Sequence, residues 1–163
     1  MPVGAAFNVF APADADGAFV HTATAANTSG HVTTIDNTAL NNLPNQIVLA
    51  TANWNPGGAP GIYNPHTTSV GYFSTRWFVL NNDFGAMPDA AAFNIYAQPP
   101  SPNAYVHAAS SANSLGNETS LDHPLLNGMP CALVHITPRT TAVDSTFDVD
   151  YDVFLQRWTI FNH

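Results

Sequence analysis

The chain has 163 residues and a formal net charge of −8, with only three cationic side chains, all arginine, against 11 acids. This balance excludes a protein that binds nucleic-acid backbones, because such proteins need clustered lysine and arginine. It also argues against docking on an anionic membrane, and no apolar run approaches the roughly 20 residues of a membrane span. With 45% hydrophobic residues, the chain can still bury the core of one ordinary domain or two small ones.

Short β-strands are predicted along the whole chain, because apolar and polar residues alternate with a period of two. The first lies within residues 1–12, and the others are predicted at 46–54, 69–73, 77–81, 132–138 and 147–153. Clusters of glycine, proline and asparagine separate them, and no window has the period of an amphipathic helix. The pattern predicts an all-β protein of sandwich or barrel-like architecture.

The second half of the chain repeats the first. The motif FVHTA at 19–23 returns 86 residues later as YVHAA at 105–109, and RW at 76–77 returns 81 residues later at 157–158. The segment that follows the first RW strand, MP with AAFNIY at 87–96, is echoed at the other end of the chain, as MP with AAFNVF at 1–10. We therefore predict two pseudo-symmetric repeats, of which the second is circularly permuted and is completed by the N-terminal strand.

This arrangement sets the predicted domain boundaries. The first β-repeat covers residues 13–98, the second covers 103–163 together with 1–12, and a proline-rich linker occupies 99–102. Residues 1–12 are expected to form a strand near 157–162, in the place that 87–98 hold in the first repeat. The strand can close within one molecule, which gives a monomer, or be lent to a neighbour, which gives a strand-swapped homo-oligomer.

Four motifs of the first repeat, with the FVHTATAAN opening, resemble a tandem repeat domain of unknown function found in secreted bacterial proteins. They are NWNPGG at 53–58, YNPH at 63–66, RW at 76–77 and MP with AAFN at 87–94. The resemblance implies an extracytoplasmic β-domain and supplies no catalytic residue. The second repeat departs from it, because TPRTT at 137–141 stands where the NWNPGG loop would be. A site built on that loop is therefore expected once in the chain.

That loop is the strongest candidate for a ligand site. Aromatic rings can stack on the apolar face of a sugar while amides hold its hydroxyl groups. The candidate glycan-binding residues are Asn53, Trp54, Asn55, Tyr63, Asn64 and His66. The alternative is that Trp54 fills the core of the sandwich and the asparagines satisfy turns.

The densest group of charges consists of Asp144, Asp148, Asp150 and Asp152. The last three lie on one face of a predicted strand, and their oxygens are the ligands that calcium prefers. The spacing does not match a calcium-binding loop with its terminal glutamate, so a solvated face that protects an edge strand is the alternative.

Other reactive residue types are assigned structural roles. His21 and His107 are equivalent in the two repeats, which predicts a part in the common fold, with ring nitrogens bonded to the backbone. Cys131 stands in an apolar run and is expected to be a small buried residue. Since the chain has no nucleophile elbow and no phosphate-binding glycine loop, we expect no enzymatic activity.

The sequence thus predicts a secreted or cell-surface binding module that recognises a glycan or another small extracellular ligand. Its first residues do not match the pattern of a signal peptide, so we expect a mature chain without its export signal. The alternative is a structural or adhesive surface protein that self-assembles through strand exchange, with calcium as a possible aid.

Overall fold

The structure is a computed structural model that describes residues 2–3, 5–12, 17–58, 61–139 and 145–163. Eleven strands and one 3-10 turn at Pro56–Gly58 occupy these residues. The strands are β1 (Ala18–Thr22), β2 (Thr28–Ser29), β3 (Val32–Ile35), β4 (Ile47–Asn53), β5 (Thr68–Phe73), β6 (Arg76–Asn81), β7 (Ala92–Gln98), β8 (Ser114–Leu115), β9 (Glu118–Leu121), β10 (Phe147–Asp152) and β11 (Arg157–Asn162). The predicted all-β class is confirmed, and neighbouring strands within each sheet are antiparallel. Among the described residues, no helix is long and apolar enough to cross a membrane.

The first repeat is a two-layer sandwich. One sheet has the strand order β1-β7-β4 and the other β2-β3-β6-β5. Phe93 and Ile95 from the first sheet and Trp77 and Val79 from the second belong to a single buried apolar cluster. Because side chains alternate across a strand, each sheet turns one apolar face inwards and the two faces share a core.

The chain divides into two compact units. The first unit comprises Ala15–Val106 and Thr137–Thr146, and the second comprises Met1–Asp14, His107–Ile136 and Phe147–His163. The division differs from the predicted repeats at 103–106 and 137–146, which group with the first unit.

The sheet of the second unit repeats one sheet of the first. Its strand order is β10-β11-β9-β8, which corresponds to β5-β6-β3-β2. Phe147 pairs with Asn162 as Thr68 pairs with Asn81. This correspondence supports two repeats. The turn between β10 and β11, residues 153–156, is longer than the β5–β6 turn, residues 74–75.

A partly buried asparagine organises the opening loop of each copy. Asn27 donates from Nδ2 to the carbonyl oxygen of Thr22 at 3.0 Å, and its Oδ1 accepts from the backbone N–H of Thr24 at 2.8 Å. Asn113 makes the equivalent bonds to Ala108, at 3.0 Å, and to Ser110, at 2.7 Å. The same side-chain amide therefore closes the same loop twice.

The paired histidines join this network through threonine side chains and not, as predicted, through the backbone. Nε2 of His21 lies 2.8 Å from Oγ1 of Thr33, and Nε2 of His107 lies 2.8 Å from Oγ1 of Thr119. The Thr33 hydroxyl donates to Oδ1 of Asn27 at 3.1 Å, so it accepts the Nε2–H of His21. Burial lowers the pKa of both histidines below the ordinary value, because desolvation disfavours the charged ring.

The arginine–tryptophan pairs behave as the alternation predicts. Trp77 and Trp158 are buried, and their indole N–H groups donate to the carbonyl oxygens of Leu43 and Met129, at 2.9 and 3.0 Å. The preceding arginines face outwards and pair with acids, Arg76 with Asp36 at 3.5 Å and Arg157 with Asp122 at 3.2 Å.

Two predicted strands are not formed in this structure. Residues 132–138 carry no strand, because Thr137 and Pro138 bond instead to the first unit, accepting from the backbone N–H groups of Ala50 and Val70 at 3.1 and 2.9 Å. The described residues of the segment 1–12 carry no strand either, and the stretches equivalent to β1 and β4 that would flank it form none. Cys131, expected to be buried, is exposed.

The lowered pKa of His21 makes stability depend on pH. The ring stays neutral in the folded state while the unfolded chain takes up a proton near the ordinary pKa of about 6.5, so the free energy of unfolding should fall as pH drops below that value. We expect thermal melting at pH 7.5, 6 and 5 to show this loss, and the His21→Gln variant to show less of it. A His21→Gln variant with the same pH dependence as the wild type would refute the assignment.

Candidate functional site

Two aromatic rings stand in contact on the surface of the loop between β4 and β5. Trp54 and Tyr63 lie with ring centroids 4.8 Å apart and planes at 77°. Their exposed fractions are 57% and 59%. The alternative in which Trp54 fills the core is therefore wrong, and the pair forms a surface that we name the aromatic platform.

The backbone fixes the two ends of the loop together. The N–H of Gly61 donates to the carbonyl oxygen of Trp54 at 2.8 Å, and that of Gly58 donates to Asn55 at 3.0 Å. A Cβ atom at Gly61 would lie 2.2 Å from the Trp54 carbonyl oxygen, so only glycine allows this approach. Next to it, Ile62 forms a bridge with Ala91, which ties the platform to the start of β7.

Asn53 links the platform to the sheet. Its Nδ2 donates to Oδ1 of Asn94 at 2.7 Å, and its Oδ1 accepts from the backbone N–H of Asn55 at 3.1 Å. Asn53 ends β4 and Asn94 lies opposite that end on β7, where its side chain is exposed. The side-chain amides of Asn53 and Asn94 therefore lie at the end of β4, next to Trp54 in the chain.

Asn64, in contrast, lies inside the unit. It is buried and donates from Nδ2 to Oδ1 of Asn81 at 2.7 Å, while Asn81 donates to the carbonyl oxygen of Gly85 at 2.9 Å. Its Oδ1 is buried without a hydrogen-bond partner in the structure. Asn64 thus joins this end of the loop to Asn81 of β6 and is buried, unlike the exposed rings of the platform.

His66 is paired with an acid that follows β6. Its Nδ1 lies 2.6 Å from Oδ2 of Asp83, and the ring rests on Gly85, where a Cβ atom would lie 2.4 Å from Cε1. Oδ1 of Asp83 accepts from the N–H of Gly85 at 2.9 Å. This backbone bond, followed by the bond to His66, holds the pKa of Asp83 below its ordinary value. Asp83 therefore stays ionised and orients the imidazole ring.

The six predicted residues thus separate into an exposed group around Trp54 and Tyr63 and an inner group of Asn64 and His66. Sequence reasoning missed the partners Asp83 and Asn94. Asn94 could have been found from the period of β7, since it alternates with the buried Phe93 and Ile95 and must face outwards. Asp83 could not, because its contact with His66 depends on the pairing of β5 with β6.

The aspartate cluster lies on the edge strand β10, with Asp148 and Asp150 on its exposed face. Asp148 lies 3.0 Å from Nε2 of His163, and Asp152 accepts the N–H groups of Phe154 and Leu155 at 2.7 and 2.9 Å. Asp144 lies outside the described residues. Among the residues that are described, no three side chains of histidine, cysteine, aspartate or glutamate gather as a metal would need. These partners favour the solvated edge, and the calcium site stays a prediction.

Melting curves test the calcium site. A bound ion would raise the melting temperature by mass action, but Asp148 and Asp152 already have partners. We expect the curves in millimolar calcium and in chelator to coincide. A calcium-dependent rise that the Asp150→Asn variant loses, and an Asp89→Asn control retains, would instead establish the site.

Comparison with known families places the chain. Two stretches, residues 1–97 and 76–163, match the DUF7452 family, which is described as a domain of unknown function. The two matches overlap at 76–97, together span the chain and fit a tandem repeat. Comparison with curated proteins and with solved structures gives no match. The chain belongs to the DUF7452 family, as a tandem pair of its domains.

Proposed function

We propose that this protein is a non-enzymatic extracellular binding module that recognises a glycan at the aromatic platform. The observation that carries the proposal is the exposure of two contacting rings, Trp54 and Tyr63, on a loop fixed by backbone hydrogen bonds. Phe73 and Phe84 are exposed in this unit as well, but Trp54 and Tyr63 form a pair of exposed rings that contact each other. Exposed rings held in a fixed geometry form a surface for a ligand with an apolar face.

The absence of charged side chains in residues 53–65 restricts the class of ligand that the platform can recognise. Residues 53–65 contain no ionisable side chain other than Tyr63, and His66 at their end is already paired with Asp83. The platform therefore offers aromatic faces and amides, with no charge to recognise phosphate or carboxylate. A neutral ligand with hydroxyl groups and an apolar face, which describes a sugar ring, matches these groups best.

The second copy lacks the platform, so we expect one site per chain. The residue equivalent to Asn53 is Arg139, whose guanidinium stacks on Trp77 at 5.0 Å and donates to the carbonyl oxygen of Pro44 at 2.9 Å. This side chain is thus committed to packing within the first unit.

The extracellular setting rests on composition and on the resemblance described above. A chain with no lysine, 9% charged residues and many asparagines and threonines is typical of secreted surface proteins. Binding a glycan of the environment or of a cell surface is consistent with that setting.

A glycan array followed by calorimetry tests the proposal. We expect the wild-type protein to bind at least one class of neutral glycan with one site per chain. The Trp54→Ala and Tyr63→Ala variants should each weaken binding about tenfold or more, which corresponds to about 1.4 kcal/mol.

Phe73→Ala is the matched control, since Phe73 is an exposed aromatic residue in the β5–β6 hairpin, outside the platform. Its affinity should equal that of the wild type. Absence of any glycan binding, or wild-type affinity in both platform variants with their folding intact, would overturn the proposal.

A further inference from the structure

The two units have matching sequences but differ in how many apolar residues they bury. Sixteen apolar residues of the described chain are buried, and only Leu121 and Trp158 of these belong to the second unit. The first unit has two sheets, whereas the second has the single sheet β10-β11-β9-β8. Among its described residues the second unit has no counterpart of the β1-β7-β4 sheet, although the sequences equivalent to the strands of that sheet are present in the chain.

The N-terminal segment is the sequence equivalent of β7, the central strand of that sheet. Phe7 and Val9 correspond to Phe93 and Ile95. Phe93 and Ile95 are 0% and 2% exposed, whereas Phe7 and Val9 are 67% and 75% exposed. Side chains of the same kind at the same positions thus form the core of one unit and face solvent in the other.

The stretch equivalent to β4 alternates in side-chain burial as a strand does, but it forms no strand. From Cys131 to Ile136, exposed residues alternate with partly buried ones, so Ala132, Val134 and Ile136 face one way. Such a stretch presents a row of backbone donors and acceptors beside an apolar face, which is the surface that an added strand can bind.

One ring contact in the second unit joins the same two positions that are paired in the β7–β4 ladder of the first unit. The rings of Phe10 and His135 lie with centroids 6.1 Å apart. Their equivalents in the first copy are Tyr96 and Leu49, which are direct partners in the β7–β4 ladder. A chance contact would not be expected to reproduce this pairing, because a slip by one residue turns every side chain to the other face.

We propose that the second unit contains a β-strand acceptor site along residues 132–136, and that residues 6–12 of the same chain are its ligand. The ring contact of Phe10 with His135 places the segment at the site in the register of the β7–β4 ladder. When it pairs, Val9 lies opposite Ile136 and Ala11 opposite Val134, and Phe7 comes opposite His107. Phe7, Val9 and Ala11 then enter the apolar face, as Phe93, Ile95 and Ala97 do in the first unit.

The chemistry of the segment suits this site. Residues 5–12 and 131–136 contain no aspartate, glutamate, lysine or arginine. An extended peptide with small and aromatic residues on one face is therefore the class of ligand that the site accepts. The segment is covalently attached to the unit it completes, which gives it a high effective concentration over any other strand.

Disulfide trapping in the full chain tests the register. In a Cys131→Ser background, we expect the Phe10→Cys/His135→Cys variant to form an intrachain disulfide on mild oxidation. The Val9→Cys/His135→Cys control places one thiol on the opposite face and should remain reduced. A disulfide between two chains would overturn the same-chain assignment in favour of strand exchange, and equal reactivity of the two variants would overturn the register.

Hydrogen exchange tests whether the ladder forms. We expect the amides of residues 7–11 and 133–136 in the wild-type protein to exchange at least about 100-fold more slowly than in an unstructured peptide. The Phe7→Asp variant should lose this protection and melt roughly 10 °C lower, whereas Asn8→Asp, on the outward face, should match the wild type. Unprotected amides in the wild type, or equal effects of the two variants, would overturn the proposal.

Discussion

The first unit depends on the pairing of β7 with a strand on each side. β7 is the hydrogen-bonded neighbour of both β1 and β4, and its inward residues Phe93 and Ile95 join the core that the opposite sheet covers with Trp77. A central strand supplies hydrogen bonds on both edges and an apolar face at once, so its removal would leave two edges and a core without a cover. In the second copy, the described residues of the equivalent segment, 1–12, form no strand.

The sequence allowed the repeats to be recognised because the residues that repeat are those that close loops. Asn27 and Asn113, Trp77 and Trp158, and the arginine–aspartate pairs occupy the same places in both copies. The asparagines and tryptophans each bond to a backbone group that the loop would otherwise leave without a partner, which restricts the residue type strongly. Patterns of this kind are local and can be read without knowing the fold.

The features that the sequence could not predict depend on contacts between residues that are far apart in the chain. Residues 132–138 have the alternation of a strand, but Thr137 and Pro138 bond to the first unit, so periodicity alone gave the wrong prediction. Trp54 was correctly singled out, yet whether it faced the core or solvent depended on how Gly61 returns the loop upon itself. Asn64 and His66 share a motif with Tyr63, but their partners Asn81 and Asp83 come from β6 and the turn after it, which takes them away from the platform.

The asparagine that closes the first loop has a consequence for how the protein is produced. Asn27 begins the triplet Asn27-Thr28-Ser29, and Asn117 begins Asn117-Glu118-Thr119, both of which are acceptor sequences for N-linked glycans in eukaryotic secretory cells. The side-chain nitrogen that a glycan would occupy donates to Thr22 in the first case and to Asn162 in the second. A sugar attached during synthesis would compete with these bonds before the strands have paired. Material from a eukaryotic secretory host would therefore fold with occupied amides at two structural positions, whereas a bacterial host leaves both nitrogens available to the backbone.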